Sequence, residues 1–393
     1  MKFSVALPEL QKALQKNLPA IPRKSTLPVL EHLHFSLTGN ELRIVSTDQD
    51  ITIMSHIEVS GTEDGSILVP GRKIGDLVKT LSEGSMDFSA NESTNEIKLK
   101  TSTGKYSLRG LSTSEYLDIP ELFESEKPDL DKVKESQKGS KQPAMFFSKD
   151  IVSWLADKTH YAVSTDEFRP AMNGVLFQFR ENSITAVSTD SYRLVKAVAH
   201  AEKSSYPADL DLIIPARAID LLKKVDNDVV MSVIETRNKI THARFDVGDM
   251  VFITRLIDEK FPPYESVIPI NNELKATISQ KDIINAINRV AHCTSELNHQ
   301  IRLIIEKNNI SISGQDEDSG SEGDETITCD FSGNKITIGF NYKYLFDAIT
   351  NIDTDDEKQA VLMTFSEPTR PVLIKPVKEE LDLLMLIMPV RLS

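Results

Sequence analysis

The chain repeats itself at long range, and this limits its possible folds more than any other feature. Val45-Ser46-Thr47-Asp48 recurs as Val187-Ser188-Thr189-Asp190, each time between two β-rich stretches. Leu68-Val69-Pro70-Gly71-Arg72 recurs as Ile213-Ile214-Pro215-Ala216-Arg217, each time ahead of an amphipathic stretch. A third, more degraded copy begins near Leu274. Self-similarity at a long period means one structural unit stacked or ringed. The 393 residues divide into three units of about 131, each large enough for a core of its own.

Every unit opens on a short strand and a helix. Phe3 and Val5 lead into Leu10, Ala13, Leu14 and Asn17, spaced as one face of a helix. Residues 145–147 precede Ile151, Trp154 and Leu155, and residues 276–278 precede Ile283, Ile284 and Ile287, with Ser148 and Ser279 in N-cap positions. Alternating strands follow at Leu33-Phe35-Leu37, Val175-Phe177-Phe179 and Leu303-Ile305, which implies sheets with one buried face. The pattern then restarts inside each unit, with helical stretches at 73–81, 218–225 and 344–349. Six strand–helix–sheet half-units result, an α+β class with helices on one side of antiparallel sheets. The units span 1–122, 144–270 and 271–393. Between them, 123–143 reads as a charged, solvated linker, and 315–325 reads as an acidic hairpin loop.

Most chemistry-bearing motifs are missing. There is no phosphate-binding loop, no dinucleotide fingerprint, no His-Glu-x-x-His and no Cys-x-x-Cys. The eight histidines are scattered and lack partnering cysteines, so no metal or other cofactor is expected. Asp316 and Asp318 resemble the start of a calcium loop, but Ser321 stands where the sharp turn needs Gly. Cys293 and Cys329 are too few for a disulfide framework, which points to a reducing cytoplasm. Pro8, Glu9 and Lys12 break up the N-terminal apolar stretch, so no signal peptide is expected, and the run at 383–388 is too short to span a membrane. Ser-Thr-Asp is the best enzymatic candidate. Asp48 and Asp190 could act as paired carboxylates of a hydrolase. The competing reading has Thr and Asp closing a turn by accepting from backbone N–H groups. Catalytic residues seldom recur in every structural copy, whereas turn residues do, so the turn is favoured.

A net charge of −14 argues against nucleic acid. The charge is unevenly placed, however. The six helical stretches come to a net +6, which leaves about −20 on strands, turns and linker. Helices sharing one face would make that face basic, suited to phosphate contacts without base reading. Nothing resembles a recognition helix, and aromatics at 6% are not interleaved with basic residues, which disfavours a single-strand stacking platform. The alternative is a repeat scaffold that binds no DNA, its helix lysines merely solvated.

Several motifs occur together in a fixed order: Met1-Lys2-Phe3, Thr26-Leu27-Pro28-Val29-Leu30, the two Thr-Asp motifs, Asn173-Gly174-Val175-Leu176-Phe177, Phe261-Pro262-Pro263-Tyr264, Val267-Ile268-Pro269, Gly339-Phe340-Asn341 and Met388-Pro389-Val390-Arg391-Leu392. In this order and spacing the chain resembles the bacterial DNA polymerase III beta subunit family, the replicative sliding clamps, over essentially its whole length. The resemblance implies three repeated clamp domains per subunit and a head-to-tail homodimer closing a ring, with helices lining the hole and antiparallel sheets outside. It implies a non-catalytic, cytoplasmic processivity factor that encircles double-stranded DNA irrespective of sequence. Its partners would be the replicative polymerase alpha subunit, the clamp loader and other proteins carrying a clamp-binding motif. DNA contacts map onto Lys24, Arg72 and Arg217. A hydrophobic peptide cleft maps onto Met172, Thr189, Arg193, Leu194, Pro262, Val267, Asn341, Tyr344, Pro371, Ile387, Met388, Pro389, Val390 and Arg391. The dimer interface maps onto Tyr106, Leu108, His292 and Cys293. Ser191-Tyr192 stands where the family often has Gly-His, and Val390 where Met is common.

Overall fold

Six helices among the described residues stand where the repeat places them: α1 (Leu7–Asn17), α2 (Gly71–Lys79), α3 (Lys149–His160), α4 (Ala216–Leu222), α5 (Gln280–Ala291) and α6 (Tyr342–Thr350). The computed structural model describes residues 1–81, 84–117, 144–180, 183–200, 209–353, 360–377 and 382–392; the expected linker at 123–143, the end of the first unit at 118–122 and Ser393 lie outside them. Each helix follows a strand: Lys2–Ala6, Gly65–Pro70, Ala144–Phe147, Leu210–Pro215, Leu274–Ser279 and Ile336–Asn341. Helices α2 and α4 begin two residues before their apolar spacing does. Pro70 and Pro215 stand immediately ahead of them with φ of −58°, which the pyrrolidine ring pre-sets. Ser279 caps α5, accepting a hydrogen bond from Asp282 N.

Helix α1 buries Leu7, Leu10, Ala13, Leu14 and Asn17. Asn17 departs from the expected apolar face because it is polar and fully buried. Its amide donates to Ala13 O at 2.9 Å and to Ser55 Oγ, and its Oδ1 accepts from Ser46 Oγ, so burial leaves it satisfied. Ser46 Oγ lies 2.8 Å from Asn17 O, and Ser188 Oγ donates to Thr159 O at 2.6 Å, so the serine of each motif ties its sheet to the end of the preceding helix. In the third copy Gly314 takes this place. A Cβ there would come within 2.9 Å of Val290 Cγ1 and 2.6 Å of Thr294 Cγ2. Apolar packing has replaced the hydroxyl link.

The chain packs as two compact units. One holds Met1–Lys149 and Val225–Leu256, the other Asp150–Ser204, Ala208–Lys224 and Ile257–Ser393. The first contains a five-stranded and an eight-stranded antiparallel sheet, the second a twelve-stranded sheet. These units cut across the 144–270 repeat because the sheets run through the repeat borders. Strand Met250–Arg255 pairs with Ile51–Glu58, placing Phe252 opposite Ile53, and strand Asp382–Ile387 pairs with Arg193–His200, placing Leu386 opposite Leu194. Phe3, Phe35 and Phe88 centre the first core; Phe88 lies 4.7 Å from Phe3 and 5.7 Å from Phe35, ring centre to ring centre.

In the first unit His34 lies 5.5 Å from the Tyr116 ring, and its buried Nδ1 has no hydrogen-bond partner among the described residues. Burial, reinforced by the nearby Arg43 charge, pushes its pKa down to about 4. The fold therefore holds His34 neutral, whereas the unfolded chain protonates it near 6.5. This contribution to stability is complete above the unfolded value and is lost as pH falls through that window toward 4. Urea denaturation at about pH 7 and about pH 4.5 tests it: wild type should lose more stability on acidification than His34→Leu, and equal losses would place the acid sensitivity elsewhere.

Candidate functional site

The repeated Ser-Thr-Asp builds the same turn twice. Asp48 Oδ1 accepts from the N–H groups of Asp50 and Ile51, and Thr47 Oγ1 accepts from Gln49 N. Asp190 Oδ1 accepts from Tyr192 N and Arg193 N, and Thr189 Oγ1 accepts from Ser191 N. Gln49 at φ 81° and Ser191 at φ 78° occupy the same left-handed position. Asp316 keeps the role in the third copy, accepting from Asp318 N and Ser319 Oγ. The acidic hairpin there is tighter than the sequence pattern suggests, since its residues from Ser321 onward already belong to strand Ser321–Asp330.

The second turn carries what the first lacks. Arg193 Nε donates to Asp190 at 3.0 Å, Nη1 to Asp347 at 2.5 Å and Nη2 to Tyr161 O at 2.7 Å. Its guanidinium also lies 5.2 Å from the Tyr161 ring centre and 4.8 Å from that of Tyr344. Tyr344 in turn stacks on Tyr192, with centroids 5.9 Å apart and planes 17° apart. Burial raises the pKa of the Tyr161 and Tyr344 hydroxyls, keeping both neutral. Thr189 Oγ1 donates to Arg193 O at 2.7 Å, which stiffens the turn.

Around this anchor lies an apolar cluster of Leu176, Val187, Leu194, Ile213, Phe261, Tyr264, Leu373 and Leu386, with Met388 packed against it. Several of the residues mapped from the resemblance lie together here, Leu194 within the cluster and Met388 against it. Ile387 is opposite Arg193 on one side and Val372 on the other, which brings Pro371 alongside. Met388 N donates to Tyr192 O, and Val390 N to Gly339 O, carrying Pro389 between them toward Asn341. Asn341 caps α6 by accepting from Lys343 N. Met172 Sδ lies 3.6 Å from Ser191 Oγ. Pro262 O accepts from Tyr264 N, and Val267 ends the helical turn that begins at Tyr264. Val267 stays 49% exposed. Arg391 is exposed. Sequence reasoning missed Tyr161 and Asp347 as partners of Arg193, and Leu176, Val187 and Ile213 as the floor. The floor alone could have been read, from the sheet register.

Register also explains why one copy is apolar. In each repeat one residue receives a hydrogen bond from the chain leaving the domain: Leu111 N to Leu68 O, Ile257 N to Ile213 O and Val390 N to Gly339 O. The opposite residues are His34 and Val45 in the first repeat, Leu176 and Val187 in the second, Arg302 and Ser313 in the third. The second repeat thus lays leucine, valine and isoleucine where the third lays arginine, serine and glycine. The third position forms a polar cavity of about 390 Å³ lined by Arg302, Ser313, Asp316 and Glu322 among others. Among the described residues, no group of His, Cys, Asp or Glu could hold a metal ion.

The helix cations are less free than their count suggests. Lys12 pairs with Asp226, Lys16 with Asp249, Lys158 with Asp353, Lys223 with Asp157, Lys224 with Asp220 and Arg289 with Glu325. These positive charges largely join elements of the fold. Arg72 is exposed and its Nη2 donates to Ile21 O, tying it to the loop that carries exposed Lys24. Arg217 is exposed on α4. Tyr106 and Leu108 pack half-buried on the first core. His292 is exposed, and half-buried Cys293 lies against Gly323, where a Cβ would approach Sγ to 2.9 Å.

Models of the DNA polymerase III beta subunit match in succession: its N-terminal domain at residues 1–120, its central domain at 147–263 and its C-terminal domain at 265–391. The beta sliding clamp of Staphylococcus epidermidis is 28% identical over 402 aligned residues, covering 100% of this chain and 99% of that one. The Staphylococcus aureus clamp is 27% identical with the same coverage. Solved clamps from Pseudomonas aeruginosa (TM-score 0.85, 23% identity) and from Bartonella birtlesii with griselimycin bound (TM-score 0.86, 24% identity) each align over the full length of both chains. The protein is a sliding clamp, a processivity factor of DNA replication that works by binding and is not an enzyme. It belongs to the DNA polymerase III beta subunit family.

Arg193 is the group whose removal should cost most. Arg193→Met strips the partner from two carboxylates and should lower unfolding stability by about 2 kcal/mol in urea titration, with Asp347→Asn costing less. A loss under about 0.5 kcal/mol would show that the network adds nothing to the fold.

Proposed function

We propose that two copies of this chain join head to tail into a ring around duplex DNA, and that the cleft beside Arg193 holds hydrophobic peptides of the polymerase alpha subunit, the clamp loader and other replication proteins. The clamp domains would run 1–122, 144–270 and 271–393, and the site of action would be the cytoplasm. No helix among the described residues is long and apolar enough to cross a membrane.

Sheet continuity carries the dimer reading. Strand Met250–Arg255 of the second repeat adds to Ile51–Glu58 of the first, and Asp382–Ile387 of the third adds to Arg193–His200 of the second. The two edges left over in this cyclic order are Lys105–Arg109 and Ser321–Asp330. Among the described strands the first pairs only with Glu96–Lys100. The second pairs along its length with Asn309–Asp316, and on its other side, among the described strands, only Cys329 and Asp330 are engaged. Pairing these edges between copies repeats the junction already made twice within the chain, a heterologous contact that closes. Charge favours it: Lys105 and Arg109 are exposed on one edge, Glu322, Asp324 and Asp330 on the other. Tyr106, Leu108, His292 and Cys293 would lie at this seam. In solution the particle should have twice the 43.9 kDa mass of the chain. Leu108→Asp should yield monomer by light scattering; a stable wild-type monomer would end the ring reading.

DNA contact is assigned to Lys24, Arg72 and Arg217, supported by the Arg72 tether to the Lys24 loop and by the exposure of all three. Weak phosphate contacts hold no register, so a ring can slide. Clamp loaded on nicked circular DNA with its loader and ATP should remain bound and escape once the circle is cut. Arg72→Glu combined with Arg217→Glu should shorten retention on the circle. Equal retention on circular and linear DNA would refute encirclement.

A further inference from the structure

In the third repeat the residue that corresponds to Arg72 and Arg217 is Lys343. Each is the second residue of its helix, α2, α4 or α6, and each helix follows a six-residue strand, Gly65–Pro70, Leu210–Pro215 or Ile336–Asn341. The backbone supports the correspondence: Tyr342 N donates to His299 O at 2.8 Å, as Ala216 N donates to Asn173 O at 3.1 Å. Lys343 is exposed, as Arg72 and Arg217 are. Its Nζ lies 3.0 Å from His299 Nε2, and an ammonium can only donate, so the imidazole accepts. His299 is itself held. Its N–H donates to Ser295 O at 2.9 Å, its carbonyl takes the Tyr342 bond, and its ring stands edge-on to the Tyr342 ring, with centroids 5.6 Å apart.

We propose that Lys343, positioned by His299, is the third repeat's own contact with the phosphate backbone of duplex DNA. The inference rests on the DNA reading above and adds a position that neither the helix charge count nor the family resemblance marks. Along the sequence Asp347 cancels Lys343 within α6, but in the folded chain Asp347 is taken up by Arg193. Lys12, Lys16, Lys158, Lys223 and Lys224 each meet an acid, which offsets their charge. Among the described residues Lys343 meets a histidine in place of an acid. An accepting imidazole adds no negative charge, so the positive charge of Lys343 is left for a ligand. One of its three N–H groups is spent on His299, and two remain for phosphate oxygens. A lysine tip that is already tethered also gives up less freedom when it meets a phosphate. An acidic peptide segment is the rival ligand. The shared position of Arg72, Arg217 and Lys343 favours the duplex, whose phosphates recur at regular spacing and can meet the same place in successive repeats.

Fluorescence anisotropy of a labelled duplex titrated with the full-length protein, from about 50 to about 200 mM salt, tests the contact. Lys343→Ala should weaken binding about three- to tenfold at the low end of salt. It should also flatten the slope of log affinity against log salt by about one for each Lys343 that meets a phosphate, equally on two duplexes of unrelated sequence. Lys343→Arg should keep both affinity and slope. His299→Ala frees the lysine tip without removing its charge, so affinity should fall about two- to threefold with the slope unchanged. Full affinity in His299→Ala would overturn the positioning role of the histidine. Wild-type affinity and slope in Lys343→Ala, while Arg72→Glu combined with Arg217→Glu binds more weakly, would overturn this contact and leave the DNA reading standing. A Glu-rich peptide that then bound wild type but not Lys343→Ala would give the site to acidic segments instead. If the double variant also bound the duplex as wild type does, the DNA reading would fall, and this inference with it.

Discussion

Backbone pairing between strands of successive repeats is the constraint on which the rest of this protein depends. The second and third repeats each end in a strand that hydrogen-bonds to the edge of the repeat before it, as Thr254 opposite Ile51 and Ile387 opposite Arg193 illustrate. An open edge is a row of unmet donors and acceptors, and adding a strand is the direct way to satisfy it. Two such junctions are made inside the chain, and they are the geometry that the proposed contact between copies would repeat. The same pairing seats Ile387 beside Arg193 and brings Met388 against the apolar cluster of the second repeat.

Repetition and function pull in opposite directions, and the structure shows where each prevails. The aspartate turn is kept in all three copies because it serves the backbone, through Asp48, Asp190 and Asp316. The sheet positions beneath the exit chain have diverged because they serve the surface. Leu176, Val187 and Ile213 make an apolar floor in the second repeat, while Arg302 and Ser313 line a polar cavity in the third. Desolvating an apolar floor favours hydrophobic side chains by about 25 cal/mol per Å² buried. A floor of arginine and serine offers no such gain.

Much of the fold was legible because periodicity reports burial. The alternation at Leu33-Phe35-Leu37 and the spacing at Ile283-Ile287 follow directly from one-sided packing. Asn17 shows the limit of that logic: helical spacing marked it as buried, but only the fold supplied Ser46, Ser55 and Ala13 as its partners. Charge was legible in total and misleading in detail. Lys12, Lys16, Lys158, Lys223, Lys224 and Arg289 raise the helix count, yet each answers an acid brought near by folding. The individual cleft positions came from the family resemblance, and composition alone would not have found them.

The amino-acid sequence by itself determined the threefold α+β repeat, the half-unit pattern of strand and helix, the turn role of Ser-Thr-Asp and the place where the second copy departs from the others. These are local properties, set by side-chain period and by hydrogen bonds spanning a few residues. Tertiary structure alone decided that Arg193 meets Asp347 and Tyr344 from the third repeat, that Tyr192 stands exposed on a fixed backbone, and which strand edges remain open. Those contacts join residues about 150 positions apart. Nothing in local periodicity encodes which distant partners a strand register will bring together.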